Sequence, residues 1–189
     1  MQRGDQLYQQ YINILKEELR PAMGCTEPIA LAFAAAKAKE ILGEVPEKII
    51  AKCSGNMIKN VRCVNIPNSG GMTGIEAACV LGALCGDVSR EMEVLEAVTP
   101  EGLSKSVKFI ENGNCKVEYL ESPIPLHFII RLEAGENFAE AEVAYCREKG
   151  INVYAFDRFI DVVAFLNFLV DFLLLLGTNR LTGFPPGYR

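Results

Sequence analysis

The chain of 189 residues has a single histidine and no tryptophan, and no pair of its seven cysteines has C-x-x-C spacing. Metal sites that need several histidines are therefore excluded, and a zinc ribbon or a thioredoxin-like motif has no support. The one histidine, His127, also gives little support to a Ser–His catalytic arrangement. It stands in an apolar run, where we expect a core or strand-edge residue.

Positive charge is also in short supply. The chain has 19 Lys and Arg residues against 24 Asp and Glu residues, for a net charge of −5, and it has no long basic run. This composition offers no electrostatic footprint for nucleic acid, so we expect a small-molecule or protein partner. The first ten residues are polar and lack the apolar core of a secretory signal. We therefore expect a cytoplasmic protein whose cysteines are free thiols.

Apolar periodicity predicts an α+β fold, with helices packed against a small, mostly antiparallel sheet. Leucine and tyrosine recur at every fourth position over residues 7–19, and residues 29–42 are rich in alanine. Both patterns predict helices, and Thr26 is the expected N-cap of the second. Strands are predicted at residues 48–53, 61–66 and within 115–143, and further helices at residues 73–84, 90–97 and 100–110.

The chain changes character near its C-terminus, so we expect two parts, residues 1–145 and a hydrophobic tail over residues 146–189. Residues 162–176 are dense in Phe, Leu and Val but include Asn167 and Asp171. The run is shorter than the roughly 20 residues that span a bilayer. We expect an apolar helix that packs on the protein or a partner, in preference to an interfacial or membrane-spanning one. Such a stripe favours homo-oligomerisation or aggregation.

Cys25 is the first candidate for chemistry. It stands directly before a predicted helix, where free N–H groups and the helix dipole favour an anion. Such positions lower the pKa of a thiol, and the thiolate acts as base, nucleophile or ligand. The alternative is a small buried residue between two helices, since inert buried cysteines are common. Cysteines 53, 63, 79, 85 and 115 fit strand or helix interiors better than a site.

Two polar segments are candidates for substrate binding. Residues 54–60, SGNMIKN, offer groups that could hold the carboxylate and amine of an amino acid, although ordinary polar turns share this composition. Residues 67–71, PNSGG, precede a predicted helix, and glycines there let backbone N–H groups approach an anion. The candidate substrate-binding residues are Ser54, Asn56, Lys59, Asn60, Asn68, Ser69 and Gly70.

Three segments taken together resemble a known family. GCTEPIALAFAAAKA (residues 24–38), SGNMIKNV (54–61) and VNIPNSGGMTGIEAACVLGALCGD (64–87) occur in this order. In order and spacing they resemble the L-cysteine desulfidase family, which is related to the alpha chain of iron–sulfur L-serine dehydratases. The resemblance covers about residues 5–143. It implies a lyase that converts L-cysteine, or L-serine, to pyruvate and ammonia with release of sulfide or water.

The resemblance also implies roles. The residue matching Cys25 takes the α-proton of the substrate, and a four-iron four-sulfur cluster acts as Lewis acid on the leaving group. Three cysteines of a C-terminal half hold that cluster in the family, and this half has no counterpart here. We therefore expect no metal ligands in this chain and no activity without a separate C-terminal half. The unmatched tail is expected to result from a frameshifted or truncated gene. The alternative function is a non-catalytic relic or a module that binds a small ligand or partner.

Overall fold

The computed structural model of the chain describes residues 6–18, 23–146 and 150–154. They form α1 (Gln6–Glu18), α2 (Thr26–Leu42), β1 (Lys48–Cys53), α3 (Gly55–Val61), α4 (Gly74–Cys85), a 3-10 helix (Val88–Glu93), α5 (Pro100–Glu111), β2 (Cys115–Tyr119), β3 (Leu126–Ala134), β4 (Asn137–Cys146) and β5 (Gly150–Tyr154). The predicted α+β class is confirmed. The predicted apolar C-terminal helix lies outside the described residues, and the division at residue 145 stays a prediction.

The five strands form one sheet with the order β2-β1-β3-β4-β5. β1 and β2 are parallel, whereas the other three pairings are antiparallel, so the sheet is mostly antiparallel as predicted. Buried and half-exposed side chains alternate along β1 and β3. This period of two places one face of these strands in the core and directs the polar side chains of the other face outward.

Helices α2 and α4 cover the buried face of the sheet. α2 contacts α4, β3 and β4, and its alanine-rich sequence is buried on most sides. Gly43 ends the helix in a left-handed conformation with φ of 75°, which a residue without a Cβ adopts at little cost. Small side chains on both helices allow close approach, so burial of the apolar strand side chains is nearly complete. Phe128, Ile130 and Leu132 of β3 have no exposed surface.

The predicted strand at residues 61–66 is wrong, because Val61 ends helix α3 and Asn65 forms only an isolated bridge to Thr73. Ser54 is the N-cap of this helix, and its hydroxyl accepts a hydrogen bond from the Met57 N–H at 3.4 Å. Met57 and Val61, four residues apart, are both buried on one side of the helix. The cap and this spacing are the local signals for a helix, and the polar composition of residues 54–60 obscured them.

Two smaller differences concern helix boundaries. Residues 90–97 were predicted as a helix, but regular structure there is the 3-10 helix that ends at Glu93. Cys25, and not Thr26, occupies the N-cap position of α2. No helix among the described residues is long and apolar enough to cross a membrane.

Candidate functional site

Cys25 lies in a tight turn at the start of α2. Gly24 before it has φ of +116°, and Cys25 itself is extended and exposed, with its sulfur at the helix N-terminus. The Met23 N–H donates to the Met92 carbonyl at 3.5 Å, which ties the turn to the 3-10 helix. On another side, a Cβ at Gly24 would lie 3.6 Å from Cγ of Pro67. The thiol is therefore held beside the PNSGG loop.

The Cys25 thiol is hydrogen-bonded to a carboxylate two residues along the chain. Its sulfur donates to Oε2 of Glu27 at 3.1 Å. The Thr26 hydroxyl donates to the same oxygen at 3.2 Å, and the Asn60 side-chain amide donates to Oε1 at 3.3 Å. The carboxylate is thus anchored on both oxygens, once from α2 and once from α3. Cys25 and Glu27 together form what we call the thiol–carboxylate pair.

The predicted lowering of the Cys25 pKa is wrong, and the pKa is raised above its ordinary value of 9.0. Although the residue is exposed, removal of water from the sulfur is the largest cause, and the hydrogen bond to Glu27 and its negative charge add to it. The backbone N–H groups of Glu27 and Thr26 lower the pKa, but they do not compensate. Burial and the nearby carboxylate together therefore outweigh the helix N-terminus, and Cys25 rests as a neutral thiol.

The pKa of Glu27 moves in the opposite direction. Burial alone would raise this pKa, but hydrogen bonds from the Cys25 thiol, its own N–H, the Thr26 hydroxyl and the Asn60 amide outweigh burial and lower it. These donors bind the ionised form more strongly than the neutral one. At neutral pH the pair is consequently a protonated thiol that donates to a charged carboxylate.

Glu27→Gln is expected to lower the pKa of the Cys25 thiol, because the substitution removes the negative charge and the carboxylate acceptor while burial stays the same. The measurement is the rate of iodoacetamide reaction at Cys25 against pH, followed by peptide mass spectrometry. Glu40→Gln is the matched control, since Glu40 is exposed on α2 and pairs with Lys37. An unchanged or raised pKa in Glu27→Gln would contradict the assigned electrostatics.

Of the four candidates in residues 54–60, the structure brings one to the pair. Asn60 reaches it through Glu27, as described above. Ser54 is buried, and its hydroxyl donates to the Pro125 carbonyl at 2.7 Å in addition to capping α3. Asn56 and Lys59 are exposed. Substrate binding by the whole segment stays a prediction. Asn60 is the member of the segment that contacts the thiol–carboxylate pair.

The three candidates in the PNSGG loop mainly hold the loop itself. The Asn68 amide donates to the carbonyls of Leu95 at 3.0 Å and Glu96 at 3.3 Å. Ser69 is buried, and its hydroxyl donates to the Met72 carbonyl at 3.0 Å. Gly70 is exposed with φ of +68°. These residues fix the shape of a loop that adjoins Gly24. Their link to the thiol is this position of the loop beside Gly24.

Sequence reasoning missed Glu27, the carboxylate that accepts the hydrogen bond from the thiol and adds to the rise of its pKa. The sequence did contain a signal for Glu27, because the helix dipole favours an acidic residue in the first turn of a helix. Glu27 also follows the N-cap residue Cys25 by only two positions. The described residues contain no group of three His, Cys, Asp or Glu side chains that could hold a metal ion. These residues therefore do not offer the three-cysteine ligand set of a four-iron cluster.

The fold and the site define this chain as an α+β protein that carries a thiol–carboxylate pair at a helix N-terminus. No family model matches the chain. It is similar to a protein named UPF0597 protein from Lachnoclostridium phytofermentans, with 44% identity over 137 residues, or 72% of this chain and 33% of that protein. A UPF0597 protein from Finegoldia magna is 42% identical over 153 residues, or 80% of this chain and 37% of that protein.

A third relative, a UPF0597 protein from Desulfitobacterium hafniense, is 40% identical over 144 residues, covering 76% of this chain and 34% of that protein. The chain therefore spans about a third of the length of these curated relatives. The assignment to the L-cysteine desulfidase family is wrong on this evidence, because the matched relatives are UPF0597 proteins and that name states no activity. The chain is therefore similar in sequence to part of these UPF0597 proteins.

Proposed function

We propose that the thiol–carboxylate pair performs proton transfer at the α-carbon of a small amino acid, L-cysteine or L-serine, in a lyase reaction. The observation that carries this proposal is the 3.1 Å hydrogen bond from the Cys25 sulfur to Glu27 at an exposed helix start. A positioned base accelerates removal of a weakly acidic C–H proton. An exposed thiol that is oriented by an anchored carboxylate supports such a role.

The raised pKa of the thiol has a consequence for this chemistry. A thiolate formed here is a stronger base than an ordinary one, but it needs a nearby positive charge to form at neutral pH. The ammonium group of a bound amino acid supplies that charge. Glu27 accepts the hydrogen bond from the thiol and attracts the ammonium group, so the free site holds a neutral thiol and the occupied site favours the thiolate.

In the proposed reaction the Cys25 thiol first releases its proton to solvent, which the ammonium group of the bound amino acid favours. The α-proton moves to the Cys25 sulfur, its electron pair forms the Cα–Cβ double bond, and the Cβ–S or Cβ–O bond breaks with release of sulfide or hydroxide. The aminoacrylate becomes an imine, which water hydrolyses to pyruvate and ammonia. Departure of the leaving group needs an acid or Lewis acid from outside the described residues. The cluster and the separate C-terminal half therefore stay predictions.

The experiment isolates the proton-transfer step, because that step needs only the pair. L-Serine or L-cysteine is incubated with the chain in D2O under anaerobic conditions, and replacement of the α-hydrogen by deuterium is followed by NMR. We expect exchange that falls by about a hundredfold or more in Cys25→Ala, which removes the base. Glu27→Gln should also slow exchange, since it removes the negative charge that attracts the ammonium group of the substrate.

Cys63→Ala is the matched control, because Cys63 is also an exposed free cysteine but is no member of the pair. This variant should exchange at the rate of the unsubstituted chain. Exchange that survives in Cys25→Ala would contradict the role of the thiol. Absence of exchange in the unsubstituted, folded chain at millimolar substrate would contradict the proposed proton transfer and leave the binding-module alternative.

A further inference from the structure

A second group of reactive side chains lies away from the thiol–carboxylate pair, around His127. The Ser122 hydroxyl lies 2.7 Å from Nδ1 of His127, and Oε1 of Glu142 lies 2.8 Å from Nε2. Ser122 belongs to the loop between β2 and β3, whereas His127 and Glu142 belong to β3 and β4. Three segments of the chain thus converge on one imidazole ring, and both of its nitrogens have partners.

Among the described elements, the group lies on the sheet face opposite the one that α2 and α4 cover. His127 alternates with the buried residues Leu126 and Phe128, so its ring projects from the opposite face of β3. The side chains of His127 and Glu142 are 14% and 25% exposed, so they are held in place yet open on one side. The expectation that His127 is simply a core or strand-edge residue is thus incomplete, because the ring is part of a hydrogen-bonded chain.

The hydrogen bonds themselves indicate which ring nitrogen carries the proton. An ionised carboxylate can only accept, so Glu142 requires a proton on Nε2. In the neutral ring Nδ1 is then an acceptor, and the Ser122 hydroxyl donates to it. The Ile124 N–H donates to the Ser122 oxygen at 3.1 Å, which leaves the hydroxyl proton free to point at the ring. The Ile124 N–H and the His127 ring together fix the position of the Ser122 oxygen.

We propose that Ser122, His127 and Glu142 form a nucleophilic serine site for an activated acyl group such as a carboxylic ester. The arrangement has the three elements that such chemistry needs, namely a nucleophile, a base within hydrogen-bond reach, and a carboxylate that orients the base. Ser122 and His127 are the catalytic residues. Glu142 is a positioning residue, since it acts through the ring. This site is independent of the thiol–carboxylate pair.

In the proposed acyl transfer, a carboxylic ester is the substrate. The Ser122 Oγ forms a bond to the carbonyl carbon while its proton moves to Nδ1 of His127. The bond to the alcohol oxygen then breaks, and the ring returns the proton to the departing alcohol. Water, deprotonated by the same nitrogen, releases the acid and restores the serine. No oxidant, reductant or further co-reactant is required.

A fluorophosphonate probe tests the nucleophile directly, because the seven cysteines of the chain would themselves react with activated esters. We expect a covalent adduct at Ser122, located by peptide mass spectrometry and absent in Ser122→Ala. His127→Gln should slow labelling by about a hundredfold or more, since it removes the base. Ser104→Ala is the control, because Ser104 is exposed on α5 and should not affect labelling.

The single histidine allows a second readout that a purely structural role would not move. In chain labelled with 15N-histidine, one set of ring signals should report a proton on Nε2. Glu142→Gln should alter that tautomer population and slow labelling while the protein stays folded. No adduct at Ser122 in the folded chain, or a ring protonated on Nδ1, would overturn the proposal.

Discussion

Gly82→Ala is expected to lower the free energy of unfolding by about 3 kcal/mol, because it overpacks the contact between α2 and α4. A Cβ at Gly82 would lie 2.1 Å from the carbonyl oxygen of Ala32 and 2.6 Å from its Cα. Both atoms belong to the backbone of a buried helix, so neither can move aside without displacing α2. Urea or thermal denaturation followed by far-UV circular dichroism measures the change.

Gly55→Ala is the matched control for this substitution. A Cβ at Gly55 would meet Cε2 of Tyr119 at 3.5 Å, an ordinary van der Waals contact, and the residue is exposed at the start of α3. Alanine also favours a helix relative to glycine, so the control should be neutral or slightly stabilising. Equal stability of Gly82→Ala and the unsubstituted chain would mean that α2 and α4 are farther apart than described.

Alkaline pH is expected to destabilise the folded chain steeply, because three thiols are packed inside it. Burial raises the pKa of Cys53 and of Cys115 to about 12, and it raises the pKa of Cys79 well above the ordinary value of 9.0. In each case the negative charge of Glu76 adds to the shift. The folded protein therefore keeps these thiols neutral over a pH range in which the unfolded chain ionises them.

The sign follows from proton binding in the two states. Below pH 9 both states hold the thiol protons, and the stability is unaffected. Between pH 9 and about 12 the unfolded chain releases them first, so each thiol lowers the free energy of unfolding by up to about 1.4 kcal/mol per pH unit. Urea denaturation at pH 7 to 11, under reducing conditions, measures this slope.

Above pH 9 the free energy of unfolding should fall less steeply with pH in Cys79→Ala, by about the contribution of one thiol. This holds whatever the effect of the substitution on stability at pH 7. Cys63→Ala is the control, because Cys63 is exposed. Its slope should match that of the unsubstituted chain. An equal slope in Cys79→Ala and Cys63→Ala would show that the buried thiols are not the groups responsible for the loss.

Most helices and strands were predictable because their signals are local. The alanine-rich run predicted α2, and apolar runs predicted strands within residues 115–143, where β2 and β3 lie. Helix α3 was missed since its polar surface resembles a turn, and its helical character depends on the Ser54 cap and on burial of Met57. The sequence signal for this helix is thus incomplete without the tertiary contacts that bury Met57.

The candidate site was predictable in part. The position of Cys25 before a helix was visible, but the direction of its pKa shift was not, because burial and the Glu27 carboxylate act against the helix N-terminus. Their balance depends on the rotamer of Glu27 and on the anchoring amide of Asn60, 33 residues away. The polar loop residues were identified by composition, which does not tell a substrate-binding side chain from one that holds its own loop.

By itself the sequence determined the class of fold, the helices and strands with strong periodicity, and the placement of one thiol at a helix start. These properties follow from side-chain spacing within a few turns of chain. Only the tertiary structure decided the charge state of that thiol and the meeting of Ser122, His127 and Glu142. Hydrogen bonds and desolvation act over a few ångströms, and the fold alone brings residues that are distant in sequence within that range.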